Sequence, residues 1–326
     1  MVKTQDLVRA WGGLLRGRKP ALSIEITKEC PLRCPGCYAF ADQHVAPGVN
    51  LKQLSDLRGD ALIEGVTDLV RRRRPLHVSL VGGDPLVRYR ELEILVPRLL
   101  AMGVFLQIVT SAFRPLPAAW AEKENLELVV SIDGLGPDHD RRRAPATYDR
   151  IRKHISGQRV VVHCTVTAQM ARQAGYLEEF VKDWSAHPNV KKIWMSIFTP
   201  QRGDELEEIP SASERGRIIA DLFRLRTIYP LLDMPHGLIA QLQYPPQSPS
   251  ECIFARATAV VSADLKTAIA PCQFGGDPDC SRCGCIASMG LAAIAAHRLP
   301  GGITAGSIFR VSASLGDRLA RILPVH

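Results

Sequence analysis

No apolar run in this chain approaches the roughly 20 residues that a membrane-spanning helix needs. The opening MVKTQDLVRAWGGLL shows neither the apolar core nor the small-residue cleavage site of a secretory signal. Aromatic residues are sparse, at 6%. None is interleaved with basic residues in the manner of a nucleic-acid-binding face, so nucleic acid is not expected as a partner. Internal repeats and low-complexity tracts are also missing, which excludes solenoids, propellers and disordered arrays. These absences predict a globular protein kept in the cytoplasm. In that reducing compartment the nine cysteines are not expected to form disulfides, and their clustering suggests metal.

With 326 residues, 46% hydrophobic and 23% charged, the chain can bury one large domain and a smaller one. Part of the net charge of +8 lies in two arginine runs, Arg71–Arg74 and Arg141–Arg143. Such runs meet either phosphate or solvent, and the first reads as a solvated helix end. The first helix candidate carries Leu7, Val8, Trp11, Leu14 and Leu15 on one face, with Arg9, Arg16, Arg18 and Lys19 nearby. It is expected to pack over one end of a sheet. Peripheral membrane contact is the alternative that is not favoured.

Strand-like runs rich in Val, Ile and Leu occur at 21–27, 76–82, 104–111, 126–133, 160–166 and 191–198. They read as strands buried on both faces. Helical patterns lie between them: Leu177, Phe180, Val181 and Trp184 form one stripe, and Ile219, Leu222 and Phe223 another. Alternating βα units imply a parallel sheet with helices outside, either open and doubly wound or curved into a partial barrel. The rhythm stops near residue 230. YPPQSPS at 244–250 reads as a linker, and VVSADLKTAIAPC at 260–272 as a hairpin turning at Ala263–Lys266.

The first strand runs into KECPLRCPGCYAF, which holds Cys30, Cys34 and Cys37. Three thiolates fit structural zinc poorly, because zinc closes its shell with four ligands. A [4Fe–4S] cluster has an iron for each of four thiolates, so three leave one iron open. The end of the first parallel strand is also where such folds place reactive groups.

This C-x3-C-x2-C loop resembles the radical S-adenosylmethionine (SAM) superfamily. The resemblance implies an α/β fold, a partial (β/α)6 TIM-like barrel, carrying a SAM-binding [4Fe–4S] cluster on Cys30, Cys34 and Cys37. It also implies an open iron that chelates the methionine moiety of SAM, and an electron that splits the sulfonium to a 5′-deoxyadenosyl radical. On the same resemblance VGGDP at 81–85 matches the element that meets the methionine amino group, with Gly82 and Gly83 as ligand-approach glycines. Asp84 there stands where the family has Glu. Ser111, Ser131 and Asp133 match positions that contact ribose and methionine, and IDGLGPDHDRRR places Arg143 near the SAM carboxylate. The family often has an aromatic before the third cysteine, packing on adenine. Gly36 occupies that place here, and Tyr38 either supplies the aromatic face or covers the cluster.

Cys252, Cys272, Cys280, Cys283 and Cys285 form a second group, for which a mononuclear zinc site is the simpler alternative. Its layout resembles the twitch or SPASM extension, although Asp264-Leu265-Lys266 replaces the usual glycine of the turn. The resemblance implies one auxiliary [4Fe–4S] cluster on four of the five cysteines. The expected boundaries are an N-terminal helix at 1–20, the barrel at 21–230, and a linker with a small C-terminal cysteine-rich domain at 231–326. Cys164, alone in mid-strand, reads as a small buried hydrophobe, and His163 on the opposite face as a satisfied structural group. The expected electron donor is a ferredoxin or flavodoxin. A ribosomally made peptide is the first expected substrate, although the short stretch before the first strand leaves no room for a peptide-recognition domain. A small molecule or lipid comes second. A non-catalytic Fe–S carrier or sensor explains the cysteines but not GGDP and SIDG at successive strand ends.

Overall fold

The computed structural model describes residues 9 and 11–322, apart from 146 and 300. Leu7 and Val8 lie outside the described residues. In chain order the main elements begin with β1 (Ala21–Glu25), α1 (Gly59–Arg73), β2 (His77–Val81) and α2 (Tyr89–Ala101). Then come β3 (Phe105–Thr110), β4 (Leu126–Ser131), α3 (Gly136–Arg142), α4 (Tyr148–His154) and β5 (Val160–Val166). After these follow α5 (Ala168–Ala171), α6 (Tyr176–Ser185), β6 (Val190–Ile197), α7 (Ala212–Ile228) and α8 (His236–Gln241). The chain ends with α9 (Ile253–Ala257), β7 (Thr258–Val261), α10 (Ile286–Ala296) and α11 (Ala305–Ile322).

The strands form one sheet in the order β6-β5-β4-β3-β2-β1-β7, every pairing parallel. Its two faces differ. Leu22, Leu80, Ile108, Val130 and Val162 are fully buried on one face, against the apolar stripes of the helices. Those stripes include Leu62, Val66 and Leu69 of α1, and Leu177, Phe180, Val181 and Trp184 of α6. The opposite face carries Ser23, Ser79, Gln107 and Glu127 in register across four strands, and Ser79 Oγ donates to Gln107 Oε1 at 3.1 Å. The expectation of strands apolar on both faces is thus corrected. β3 alternates half-buried and buried positions along its whole length, because one face packs on helices and the other lines the interior of a partial barrel.

The first arginine run ends α1, where cations complement the helix dipole. Arg74 closes that helix in the left-handed region at φ 49°. The first helix sets its backbone directly on α11: a Cβ at Gly316 would lie 1.8 Å from Leu14 O.

The hairpin after the linker does form, but its first arm is β7, the seventh strand of the main sheet, paired with β1. Sheet and core therefore continue past residue 230, and Cys283, Cys285 and Met289 share the core cluster of the strands. The turn closes with Ser262 N donating to Thr267 O at 2.8 Å. Asp264 does the work expected of a glycine. Its carboxylate accepts from the Lys266 and Thr267 amides at 2.9 and 2.8 Å, and Leu265 takes the left-handed φ of 57°. The Leu265 side chain then lies over α1, where a Cβ at Gly65 would come within 2.7 Å of it.

Candidate functional site

The first cysteine loop is fastened to the end of β2 by its own backbone. Ile26 N donates to Val81 O at 3.0 Å, Gly83 N to Thr27 O at 2.8 Å and Asp84 N to Glu29 O at 2.9 Å. Only glycines permit this approach. A Cβ at Gly82, where φ is 122°, would lie 2.6 Å from Thr27 O, and one at Gly83 would lie 2.1 Å from Glu29 O. The close neighbour of both glycines is therefore the segment that leads into Cys30. Arg88 clamps the same loop, with Nη2 on Asp56 at 2.6 Å and Nη1 on Glu29 at 3.2 Å.

Asp84 is buried and its carboxylate is saturated. Oδ1 accepts from Leu86 N at 3.0 Å and Thr110 Oγ1 at 2.7 Å, and Oδ2 from Ser111 N at 2.9 Å and Ser111 Oγ at 2.5 Å. The shorter carboxylate thus ties the ends of β2 and β3 together, and the Ser111 hydroxyl is engaged in the tie.

Asp133, beyond the end of β4, gathers two guanidiniums. Oδ2 accepts from Arg143 Nη1 at 2.7 Å and Arg142 Nε at 3.3 Å, and Oδ1 accepts from Thr165 N at 3.0 Å. Burial alone would raise its pKa, but Arg143 and Arg142 outweigh it and hold the carboxyl well below the usual range. The second arginine run is therefore not a solvated face. Arg141 projects into solvent with 78% of its side chain exposed, while Arg142 and Arg143 turn inward. Arg143 Nε is buried with no hydrogen-bond partner, and its charge is felt at Cys34.

Ser131 pairs in register with His163 on the polar face, while Cys164 faces the core at 1% exposure. His163 Nε2 lies 2.8 Å from Ser196 Oγ, and burial pushes the imidazole down to about 4. It stands beside the Asp133–Arg143 pair, which also act on its titration. Its place among the site residues was hidden in the sequence, where it reads as a structural strand histidine. Because the folded state keeps this ring neutral while the unfolded chain protonates near 6.5, stability must fall as pH drops from about 6.5 toward 4. The loss is about 2 kcal/mol by pH 5. His163→Gln should remove that component, so its urea midpoint should shift less between pH 7 and pH 5 than that of the wild type. Equal shifts would refute the assignment.

Gly36, at φ 62°, is where a side chain before the third cysteine is missing, and the space is filled by the residue that follows β6. A Cβ there would lie 2.8 Å from Phe198 Cζ. Phe198 and Gly36 line a cleft of about 590 Å³ together with Cys34, Cys37, Tyr38 and Gln201, a size typical of small-molecule sites. Tyr38 is engaged on its other side. Its ring packs edge-on against Phe274 at 5.4 Å and tilted on His44 at 5.6 Å. His44 in turn joins Glu25 Oε1 at 2.6 Å and Phe274 O at 3.0 Å, and Ser262 Oγ donates to Glu25 Oε2 at 2.6 Å. Glu25 outweighs the effect of burial and raises the pKa of His44. This buried chain of contacts joins the first cysteine loop to the segment of the second.

All five cysteines of the second group line one cavity, with Thr199, Phe254 and Phe274 among its walls. Burial pushes Cys272 up to about 12 and Cys280 up to about 11. Cys272 feels the charges of Cys283, Cys252 and Cys280, whereas Cys285 feels Cys283 and Cys272 and acts in turn on Tyr38. In the first group burial raises Cys30 to about 12 and lifts Cys34 and Cys37 too. Uptake of metal by either group must therefore release protons. Among the described residues no three Cys, His, Asp or Glu side chains converge closely enough to hold a single ion.

No family model matches the chain, and no curated protein sequence matches it. Solved structures do. Streptococcus suis SuiB bound to precursor peptide SuiA superposes with a TM-score of 0.56 at 14% identity, over 79% of this chain and 61% of that one. The chain thus spans about three fifths of the length of SuiB. Native anSMEcpe with bound AdoMet gives 0.57 at 15% identity, over 78% and 75%. The same protein with AdoMet and the Kp18Cys peptide gives 0.54 at 16%, over the same shares. The chain has the fold of these structures, a parallel α/β sheet left open as a partial barrel.

Proposed function

We propose that this chain is a radical SAM enzyme with one auxiliary iron–sulfur cluster. The reading is carried by one observation: two thiols of the loop after β1, Cys34 and Cys37, line the cleft and feel the charge of Arg143, whose buried Nε–H has no hydrogen-bond partner. Cys30, Cys34 and Cys37 would hold a [4Fe–4S] cluster, which when bound supplies the electron for reductive cleavage of SAM. Arg143, held by Asp133, would donate its Nε–H to the SAM carboxylate. Phe198 offers the apolar ring that Gly36 lacks, and Tyr38 covers the cluster side of the loop. Gly82, Gly83, Asp84 and Ser111 hold the loop and strand ends in place around them. Ser131 and His163 present a hydroxyl and a neutral imidazole to the same interior. A peptide is the proposed substrate, in keeping with the peptide-bound structures of SuiB and anSMEcpe, and a ferredoxin or flavodoxin the proposed donor.

In the second group Cys252 shares a cavity with Cys272, Cys280 and Cys283 and acts on all three, so we assign these four the auxiliary cluster and leave Cys285 as the spare thiol. Cys285→Ser is expected to retain about eight iron per chain, and Cys280→Ser about four. Iron loss in Cys285→Ser with none in Cys280→Ser would reverse the assignment. The reaction itself is tested by incubating reduced, reconstituted protein with SAM. Formation of 5′-deoxyadenosine supports the enzyme, and SAM left intact contradicts it.

A further inference from the structure

Helix α11 is built inside out. Its packing face is made of small residues, Gly306, Ser312, Ala313 and Gly316, all buried. Three of its large apolar side chains point the other way: Val311, Leu315 and Leu319 are 69%, 48% and 39% exposed, while Ile308 and Phe309 are half-buried. Spaced four apart, these three form one stripe along the helix. The small face is needed for close packing. A Cβ at Gly316 would lie 1.8 Å from Leu14 O of the first helix, and one at Gly306 2.8 Å from Ala295 Cβ of α10. Those neighbours add exposed apolar groups of their own, Trp11 at 45% and Ile294 at 65%. Of the eleven large hydrophobic side chains exposed among the described residues, seven lie at Trp11 or between Ile294 and Leu319. Concentration on this scale marks an interaction face rather than ordinary surface scatter.

The charge of these segments says what the face meets. Residues 9–19 and 286–322 contain eight Lys and Arg and a single acid, Asp317. They carry seven of the eight net positive charges of the whole chain. Arg310 and Arg318 are exposed on α11 itself, and Arg9 and Arg16 on the first helix. An apolar stripe bordered by arginines is the pattern of a helix lying in a membrane interface. A second copy of the chain would bring the same positive charge and be repelled, and a nucleic-acid backbone has no use for the leucines. No helix among the described residues is long and apolar enough to cross a membrane, so the contact would be peripheral.

We propose that α11, with the first helix and the end of α10, is a docking face for an anionic lipid surface. It would set the protein at the membrane interface without spanning it. The inference is independent of the proposed chemistry, because its readout is partition rather than turnover. The test is co-sedimentation of the full reconstituted chain with vesicles of phosphatidylcholine alone and of phosphatidylcholine mixed with phosphatidylglycerol. Binding is expected to the mixed vesicles only, and it should fall as salt is raised. The double variant Val311→Asp, Leu315→Asp should weaken it by about tenfold or more. Arg310→Gln and Arg318→Gln should each weaken it about fivefold. Ile228→Asp, at an exposed apolar position on α7, should leave it unchanged. Far-UV circular dichroism and iron content establish that each variant is folded. Absence of binding to mixed vesicles would overturn the proposal, as would equal binding by the double aspartate variant. So would salt-insensitive self-association lost in that variant, which would make the face a contact between copies.

Discussion

Cys34→Ser is expected to reduce 5′-deoxyadenosine formation to background while lowering iron from about eight to about four per chain. A serine hydroxyl at neutral pH does not replace a thiolate as an iron ligand, and only three thiols serve the first site. Cys34 is the most informative of the three because Arg143 acts directly on it. Loss there tests the thiol and its cationic neighbour as one unit. The auxiliary site shares no cysteine with this loop, so its iron and its visible absorption should survive. Full iron together with undiminished SAM cleavage would contradict the assignment of the loop.

Gly83→Ala should have a comparably large effect without touching a single ligand. The new methyl would lie 2.1 Å from Glu29 O and 3.1 Å from Cys30 N. Both are backbone atoms, so no side-chain rotation relieves the clash, and the strand end and cysteine loop must part. The cost is about 3 kcal/mol, concentrated where Cys30 is held. The variant should lose iron from the first site and its affinity for SAM, yet keep about four iron in the second. Gly216→Ala supplies the contrast. Nothing lies within 4 Å of a Cβ there, the position is in the interior of α7, and the change should stabilise by about 0.5–1 kcal/mol. A Gly83→Ala protein with unchanged iron and SAM affinity would show that the close approach of loop and strand is not needed to form the site.

The six strands of the barrel were legible because each is a compact Val, Ile and Leu run, and β5 fell where its run lies at 160–166. The seventh was not. Thr258–Val261 is short, follows a proline-rich linker and sits among cysteines, and no local pattern says that it returns to pair with Ala21–Ile24. Cysteine spacing likewise set out both cysteine groups, while the surroundings of each depended on contacts distant in sequence. Three consecutive arginines look alike as letters, and only the placement of Asp133 at the end of β4 separates Arg141 in solvent from Arg142 and Arg143 inside. Gly36 announced that an aromatic was missing from the loop, but nothing local announced that Phe198 would fill the space. The saturation of Asp84 by Ser111 and Thr110 was equally out of reach, since it joins two strand ends whose pairing is settled only by the folded sheet.

The central claim is that SAM docks at the cluster held by Cys30, Cys34 and Cys37. Electron paramagnetic resonance of reduced protein tests it most directly, in the Cys280→Ser background where that cluster is observed alone. Addition of SAM should change the g-values of the signal, and the change should weaken in Arg143→Ala. A spectrum indifferent to SAM would contradict the account.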